Sequence, residues 1–153
     1  MKIECVKEKL QNAVMLVEKV TGKNLTLPIL SHILLDARNG GLTLRATNLD
    51  LGIEIHIAVK VFEEGSVVVP GTILLGLLAN VQEEKVLCEV VEGTLVFSTK
   101  SSTTAVKTLP ADEFPLIPKV DSKKTLTIDS EVFSQGLRSV YYSAAITSVK
   151  DRK

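Results

Sequence analysis

The chain has 153 residues, 45% of them hydrophobic and 24% charged, a size and composition suited to one globular domain with part of another. Eighteen Lys and Arg balance eighteen Asp and Glu, so any contact with nucleic acid or an anionic membrane must come from local charge pattern rather than net field. Abundant, evenly spread Val, Leu and Ile exclude a disordered chain, and the longest nearly apolar stretch, Ile73 to Val81, falls far short of the roughly 20 residues of a membrane-spanning helix.

Met1–Val6 alternates and reads as a strand. Glu4, Lys7, Glu8 and Lys9 interrupt any apolar core of a signal peptide. From Val6 the period becomes helical, with Val6, Leu10, Ala13, Val14 and Val17 on one stripe. Glu8, Gln11, Asn12, Met15 and Lys19 lie opposite, and Thr21-Gly22 ends the helix. Three strand-like runs follow: Ile29–Ala37, then Leu42–Thr47 after the turn at Asn39-Gly40-Gly41, then a long alternation Ile53, Ile55, Ile57, Val59, Val61. Asn48-Leu49-Asp50 reverses the chain between the last two runs, and Glu63-Glu64-Gly65 closes the third.

The pattern then starts again. Val67–Val69 is a strand, and Thr72–Val81 a helix with Leu74, Leu77, Leu78 and Val81 on its buried stripe. Lys85–Val91, Thr94–Thr99 and Thr103–Leu109 complete a second strand-helix-three-strand set. This is a repeat of topology, β-α-β-β-β twice, rather than of sequence. Leu109–Pro118, with Pro110, Pro115 and Pro118, reads as a linker. Thr125–Ile128 is expected to be a strand, and Asp129 or Ser130 to cap a third helix striped by Phe133, Leu137, Val140, Tyr141 and Ala144. A lone strand and helix cannot bury a core, so residues 119–153 are expected to open a second domain that has been cut off.

Three stretches, in order and on this topology, resemble the bacterial DNA polymerase III beta subunit, the replicative sliding clamp. They are Thr26-Leu27-Pro28-Ile29-Leu30, Thr47-Asn48-Leu49-Asp50, and Thr108-Leu109-Pro110-Ala111-Asp112-Glu113-Phe114-Pro115. The resemblance implies an α+β DNA-clamp (processivity-factor) fold, with residues 1–118 as the first domain and 119–153 as the start of the second. The third domain would be missing. It further implies a cytoplasmic DNA-replication protein, a non-catalytic accessory subunit whose head-to-tail homodimer ring encircles double-stranded DNA. Such a ring slides without reading sequence and tethers the DNA polymerase III catalytic subunit, after an ATP-driven clamp loader complex has opened it. No cofactor, metal or membrane contact is implied. The alternative expectation is a truncated or split clamp fragment that cannot encircle DNA and is only an interaction module or without function.

DNA-binding candidates follow from the same resemblance. An inner wall calls for loose phosphate contacts from cationic and polar groups. The first helix and its exit offer Lys19, Lys23 and Asn24, with Asn24 standing where the family often has Arg. The second offers Thr72, near a position where the family commonly carries Arg or Lys; its outward stripe of Thr72, Gly76 and Ala79 has no cation. Either that helix lines the hole sterically or DNA affinity has been lost there. Arg138 is the phosphate candidate of the third helix.

The remaining polar features read as structure. Thr47-Asn48-Leu49-Asp50 is a side-chain-stabilised turn. Lys100–Thr104 is a polar hairpin or a phosphate or subunit contact, and the acid pairs Glu63-Glu64 and Glu83-Glu84 are expected to be solvated. His32 and His56 lack partners at metal-ligand spacing, and Cys5 and Cys88 read as reduced core thiols. No nucleotide-binding, serine-hydrolase or zinc-protease pattern occurs, which leaves an unrelated α+β enzyme as a remote alternative.

Overall fold

Alternation at a period of two places Ile3 and Cys5 on the buried side of β1 (Lys2–Val6). The change to helical spacing then starts α1 (Lys7–Glu18), which buries Leu10, Ala13, Val14 and Val17. The computed structural model describes residues 1–22, 27–117 and 125–144. Its chain divides into two compact units, Met1–Ile117 and Pro118–Lys153.

In the first unit the strands that follow α1 are β2 (His32–Arg38), β3 (Gly41–Thr47), β4 (Gly52–Ala58), β5 (Lys60–Glu63) and β6 (Gly65–Pro70). Next come α2 (Gly71–Asn80), β7 (Lys85–Val91), β8 (Thr94–Ser98) and β9 (Thr103–Lys107). Two antiparallel sheets form, ordered β5-β1-β7-β8-β9 and β4-β3-β2-β6. Each half of the repeat contributes its leading strand to the sheet of the other half. β1 pairs with β7 (Ile3 opposite Cys88), and β6 pairs with β2 (Val69 opposite Ile33). One core, containing Val14, Val17, Leu74 and Leu78 from the helices, joins both sheets.

The structure departs from the sequence expectation in four places. Ile29–Ser31 form a 3-10 turn, Pro28–Ser31, rather than the start of β2, because Pro28 at its first position supplies helical φ and no strand hydrogen bond. The long alternation from Ile53 to Val61 is two strands: it breaks at Val59, so β4 pairs with β3 and β5 pairs with β1. The Pro-rich stretch after β9 is a strap instead of a free linker. Leu109 exchanges backbone hydrogen bonds with Val68 (2.9 and 3.1 Å), and Phe114 is buried with Leu34 and Val68. Finally, Thr125–Ile128 forms no strand pairing among the described residues, where it has no neighbour to bond.

Two hairpin turns carry left-handed backbone, Asn39-Gly40 (φ 52° and 75°) and Glu92-Gly93 (φ 48° and 73°). That conformation matches the twist of the strands they join. In the second unit, α3 (Ser130–Val140) starts at Asp129, whose Oδ1 accepts from Glu131 N and Val132 N at 3.0 Å each.

Cys5 and Cys88 are free and buried on facing strands, and the Cys5 thiol beside it, together with burial, pushes the Cys88 thiol up. The outer face of the second sheet carries a charged ladder. Asp36 pairs with Arg38 (2.8 Å) and Arg45 (3.6 Å), and Arg45 pairs with Glu54. His56 reaches Glu54 at 3.0 Å and Thr43 at 2.8 Å. His32 lies 3.1 Å from the Pro28 carbonyl, so both histidines act as sheet-surface partners. The Arg45 guanidinium beside it lowers the Glu54 carboxyl below its ordinary range. Among the described residues no three His, Cys, Asp or Glu gather as a metal set, and no helix is long and apolar enough to cross a membrane.

Candidate nucleic-acid interface

α1 and α2 pack side by side in opposite directions. At one end the Glu18 side chain of α1 lies against Gly71, where an added Cβ would stand 3.3 Å from Glu18 Cγ. At the other end the first turn of α1 meets the Gln82–Glu84 turn that follows α2, and Lys7 N donates to the Glu84 carbonyl at 2.8 Å. With their buried stripes turned into the core, the helices expose Glu8, Lys9, Asn12, Met15, Leu16 and Lys19 from α1, and Thr72, Ile73, Gly76, Ala79 and Asn80 from α2.

Lys19 is the C-cap residue of α1 and Thr72 lies in the first turn of α2. The antiparallel packing therefore brings these two exposed candidates to the same end of the helix pair. Lys23 and Asn24 lie outside the described residues. Arg138 is exposed in the last turn of α3, in the second unit, where its charge complements the carbonyl end of its own helix. The α2 surface carries no charged group: Gly76 has no heavy atom within 4 Å of where a Cβ would stand. The α2 side of the face is thus smooth and uncharged, while α1 exposes Lys9 near its start and Lys19 at its end.

Sequence reasoning missed the opposite end. There a groove of about 530 Å³ is lined by Glu8, Asn12 and Met15 of α1 and by Gln82, Glu83 and Glu84. Glu83 is partnered, contrary to the expectation for paired acids. It accepts from Ser101 Oγ and from Ser101 N (3.3 Å), pinning the turn between β8 and β9. Glu64 likewise accepts from Asn39 N at 3.0 Å and pins the β2–β3 turn. Both bonds cross a long stretch of sequence, so residue spacing gives no sign of them. The Lys100–Ser102 segment is accordingly a hairpin turn, closed by Thr99 N donating to the Ser102 carbonyl at 2.8 Å.

The hydroxyl of Ser101 holds the Glu83 carboxyl down, to about 2 from an ordinary 4.5. A depressed carboxylate pKa stabilises the fold above the ordinary value, and that contribution is lost as pH falls through the folded one. A carbon-13 titration of the Glu83 carboxyl should therefore find its midpoint near 2, and Ser101→Ala should return it toward 4.5. A midpoint near 4.5 in the unaltered chain would mean that the Ser101 contact does not persist in solution.

Comparison with known proteins decides the family. Residues 1–118 match the model for "DNA polymerase III beta subunit, N-terminal domain". The chain belongs to the DNA polymerase III beta subunit family. The beta sliding clamp of Synechococcus elongatus is 27% identical over 148 residues, which cover 95% of this chain and 40% of that protein. A crystal structure of the Helicobacter pylori beta clamp bound to a DNA ligase peptide superposes with a TM-score of 0.86 at 24% identity, covering 98% of this chain and 42% of that one. The Pseudomonas aeruginosa beta subunit gives a TM-score of 0.90 at 23% identity, over 98% and 41%. Those two likenesses are of fold. The chain spans about 40% of the length of the sliding clamps it matches. Within the beta subunit family its fold is the expected α+β clamp domain, with paired helices on one side of the two sheets.

Proposed function

We propose that this chain acts as the N-terminal portion of a sliding clamp subunit, a replication processivity factor that tethers the DNA polymerase III catalytic subunit to double-stranded DNA. The observation that carries this reading is the family match over residues 1–118 on a fold whose two helices present a smooth face. In the reading that face looks toward the duplex, with Lys19 and Thr72, joined by Lys23 and Asn24, touching phosphate without reading bases, and Arg138 of the second unit is a separate phosphate contact. Domain boundaries near residue 118, a head-to-tail homodimer ring, loading by a clamp loader complex and a cytoplasmic place of action belong to the same proposal. The role is a tether, and nucleotide transfer belongs to the polymerase it holds.

A topological test separates a tether from a binder. The polypeptide that the source cells make is captured with an antibody to residues 1–110, loaded on a nicked circular duplex with its loader, and followed after linearisation. Retention on the circle and loss from the linear form are expected of a ring, because sliding off an end needs no dissociation step. A polypeptide near 16.6 kDa that is not retained on the circle would overturn the processivity reading and leave the split-fragment alternative.

A further inference from the structure

The two cysteines of the chain, far apart in sequence, meet in the core of the first unit. Ile3 stands opposite Cys88 and Cys5 opposite Val86, so the thiols occupy a diagonal of the β1–β7 ladder on its buried face. Cys5 is 4% exposed and Cys88 2%. The thiols lie within hydrogen-bonding reach of each other, and Cys5 Sγ is also 4.0 Å from the Val86 carbonyl. Ile3, Leu10, Val86 and Phe97 belong to the same apolar core. The charges of these two strands lie on the opposite face and cancel there in pairs, Lys2 with Glu89 (3.1 Å) and Lys85 with Glu4 (3.6 Å).

We infer that Cys5 and Cys88 form a buried dithiol site for one soft, two-coordinate metal ion, and that mercuric ion is the occupant whose charge fits it. The site is independent of any DNA contact. Span favours a metal bridge over a disulfide. A disulfide joins Cα atoms up to about 6.8 Å apart, whereas diagonal partners of an antiparallel pair stand about 7–8 Å apart. Metal–sulfur bonds of about 2.3 Å make a linear S–metal–S unit about 4.6 Å long between its sulfurs, which suits the longer diagonal. Ligand type and number then select the ion. Among the described residues no third His, Cys, Asp or Glu completes a metal set, so zinc lacks its four ligands and the paired sulfurs suit a soft ion. Charge makes the last choice. A mercuric ion replaces one proton on each thiol, and the resulting dithiolate complex is neutral and compatible with a hydrocarbon core. A cuprous or silver ion would leave a net anion there, with no unpaired cation on these strands to offset it. Both thiols are shielded, so capture awaits a local opening of β1, and the metal is sealed from competing thiols once the strand closes.

The test is native mass spectrometry and an amide spectrum of the full, reduced chain with mercuric chloride, followed by a challenge with glutathione. The expected product is one mercury per chain in place of two protons, with amide shifts centred on β1 and β7 and the rest of the spectrum native. Cys5→Ala and Cys88→Ala, each left with one thiol, should give up the metal at about a hundredfold lower glutathione, because the second sulfur no longer acts at high effective concentration. Two mercuries per chain, one mercury in place of a single proton, no uptake, or uptake only with loss of the native spectrum would each overturn the inference, and these readings need no variant. A variant that folds and holds mercury as firmly as the unaltered chain would overturn it as well.

Discussion

Replacing Leu78 by alanine is expected to lower the unfolding free energy by about 3 kcal/mol, to be read from urea denaturation of the full chain. Leu78 has no solvent exposure and shares the core with Val14, Val17 and Leu74, so truncation removes transfer free energy and leaves a cavity between α2 and both sheets. α2 has little else to hold it. Neither Pro70 nor Val81 caps it with a side chain, and Gly76 at its centre costs about 1 kcal/mol of intrinsic helix propensity relative to alanine. Packing must therefore supply the stability that caps and propensity do not. The companion substitution Gly76→Ala, on the exposed face where a Cβ meets nothing, should act in the opposite sense by up to about 1 kcal/mol. A loss below about 1 kcal/mol for Leu78→Ala would show that α2 is not anchored through this residue.

The second large effect is expected at Thr47, a buried polar residue at the end of β3. Its hydroxyl donates to the Leu51 carbonyl (2.9 Å) and accepts from Leu49 N (3.0 Å). These bonds hold Leu49 at φ 79°, a left-handed conformation that a leucine side chain disfavours. Asn48 Oδ1 completes the turn by accepting from Asp50 N (3.1 Å) and Leu51 N (2.8 Å). Thr47→Val keeps the shape but leaves Leu49 N without its acceptor and the Leu51 carbonyl with Asn48 N as its remaining donor (3.1 Å), at a cost of about 2 kcal/mol. Thr47→Ser keeps the hydroxyl and should lose markedly less. Equal losses in the two variants would assign the effect to the methyl group instead.

The helices were legible in the sequence because their stripes have a period that no strand shares. Leu10, Ala13, Val14 and Val17 are buried together, as are Leu74 and Leu78. Asn39-Gly40 and Glu92-Gly93 announced their turns by chemistry, since glycine tolerates left-handed backbone. What stayed hidden was non-local. The alternation from Ile53 to Val61 runs unbroken through Val59 because Ile53, Ile55, Ile57, Val59 and Val61 all pack on the same core. A change of sheet partner therefore leaves no mark on side-chain pattern. Phe114 looked like part of a loop because its partners, Leu34 and Val68, are far away in sequence.

The candidate face was legible in part for the same reason. Lys19 and Thr72 could each be placed on an exposed stripe, but only the antiparallel packing of α1 on α2 puts them at one end. The Glu8, Glu83 and Glu84 groove needs that packing too, since Glu8 is separated from the other two by most of the unit.

The crossed pairing of leading strands has a kinetic consequence. β1 finds its main partner only when Lys2 meets Glu89, and β2 waits for β6 to close its free edge. A chain emerging from the ribosome cannot complete the first sheet until most of the unit has been made, so folding is dominated by distant contacts and is slow for its size. Neither half of the repeat would survive as an independent module, because cutting between them leaves an orphaned strand on each side. Gene shortening within Met1–Ile117 is for this reason all or nothing, despite the duplicated outline of its two halves.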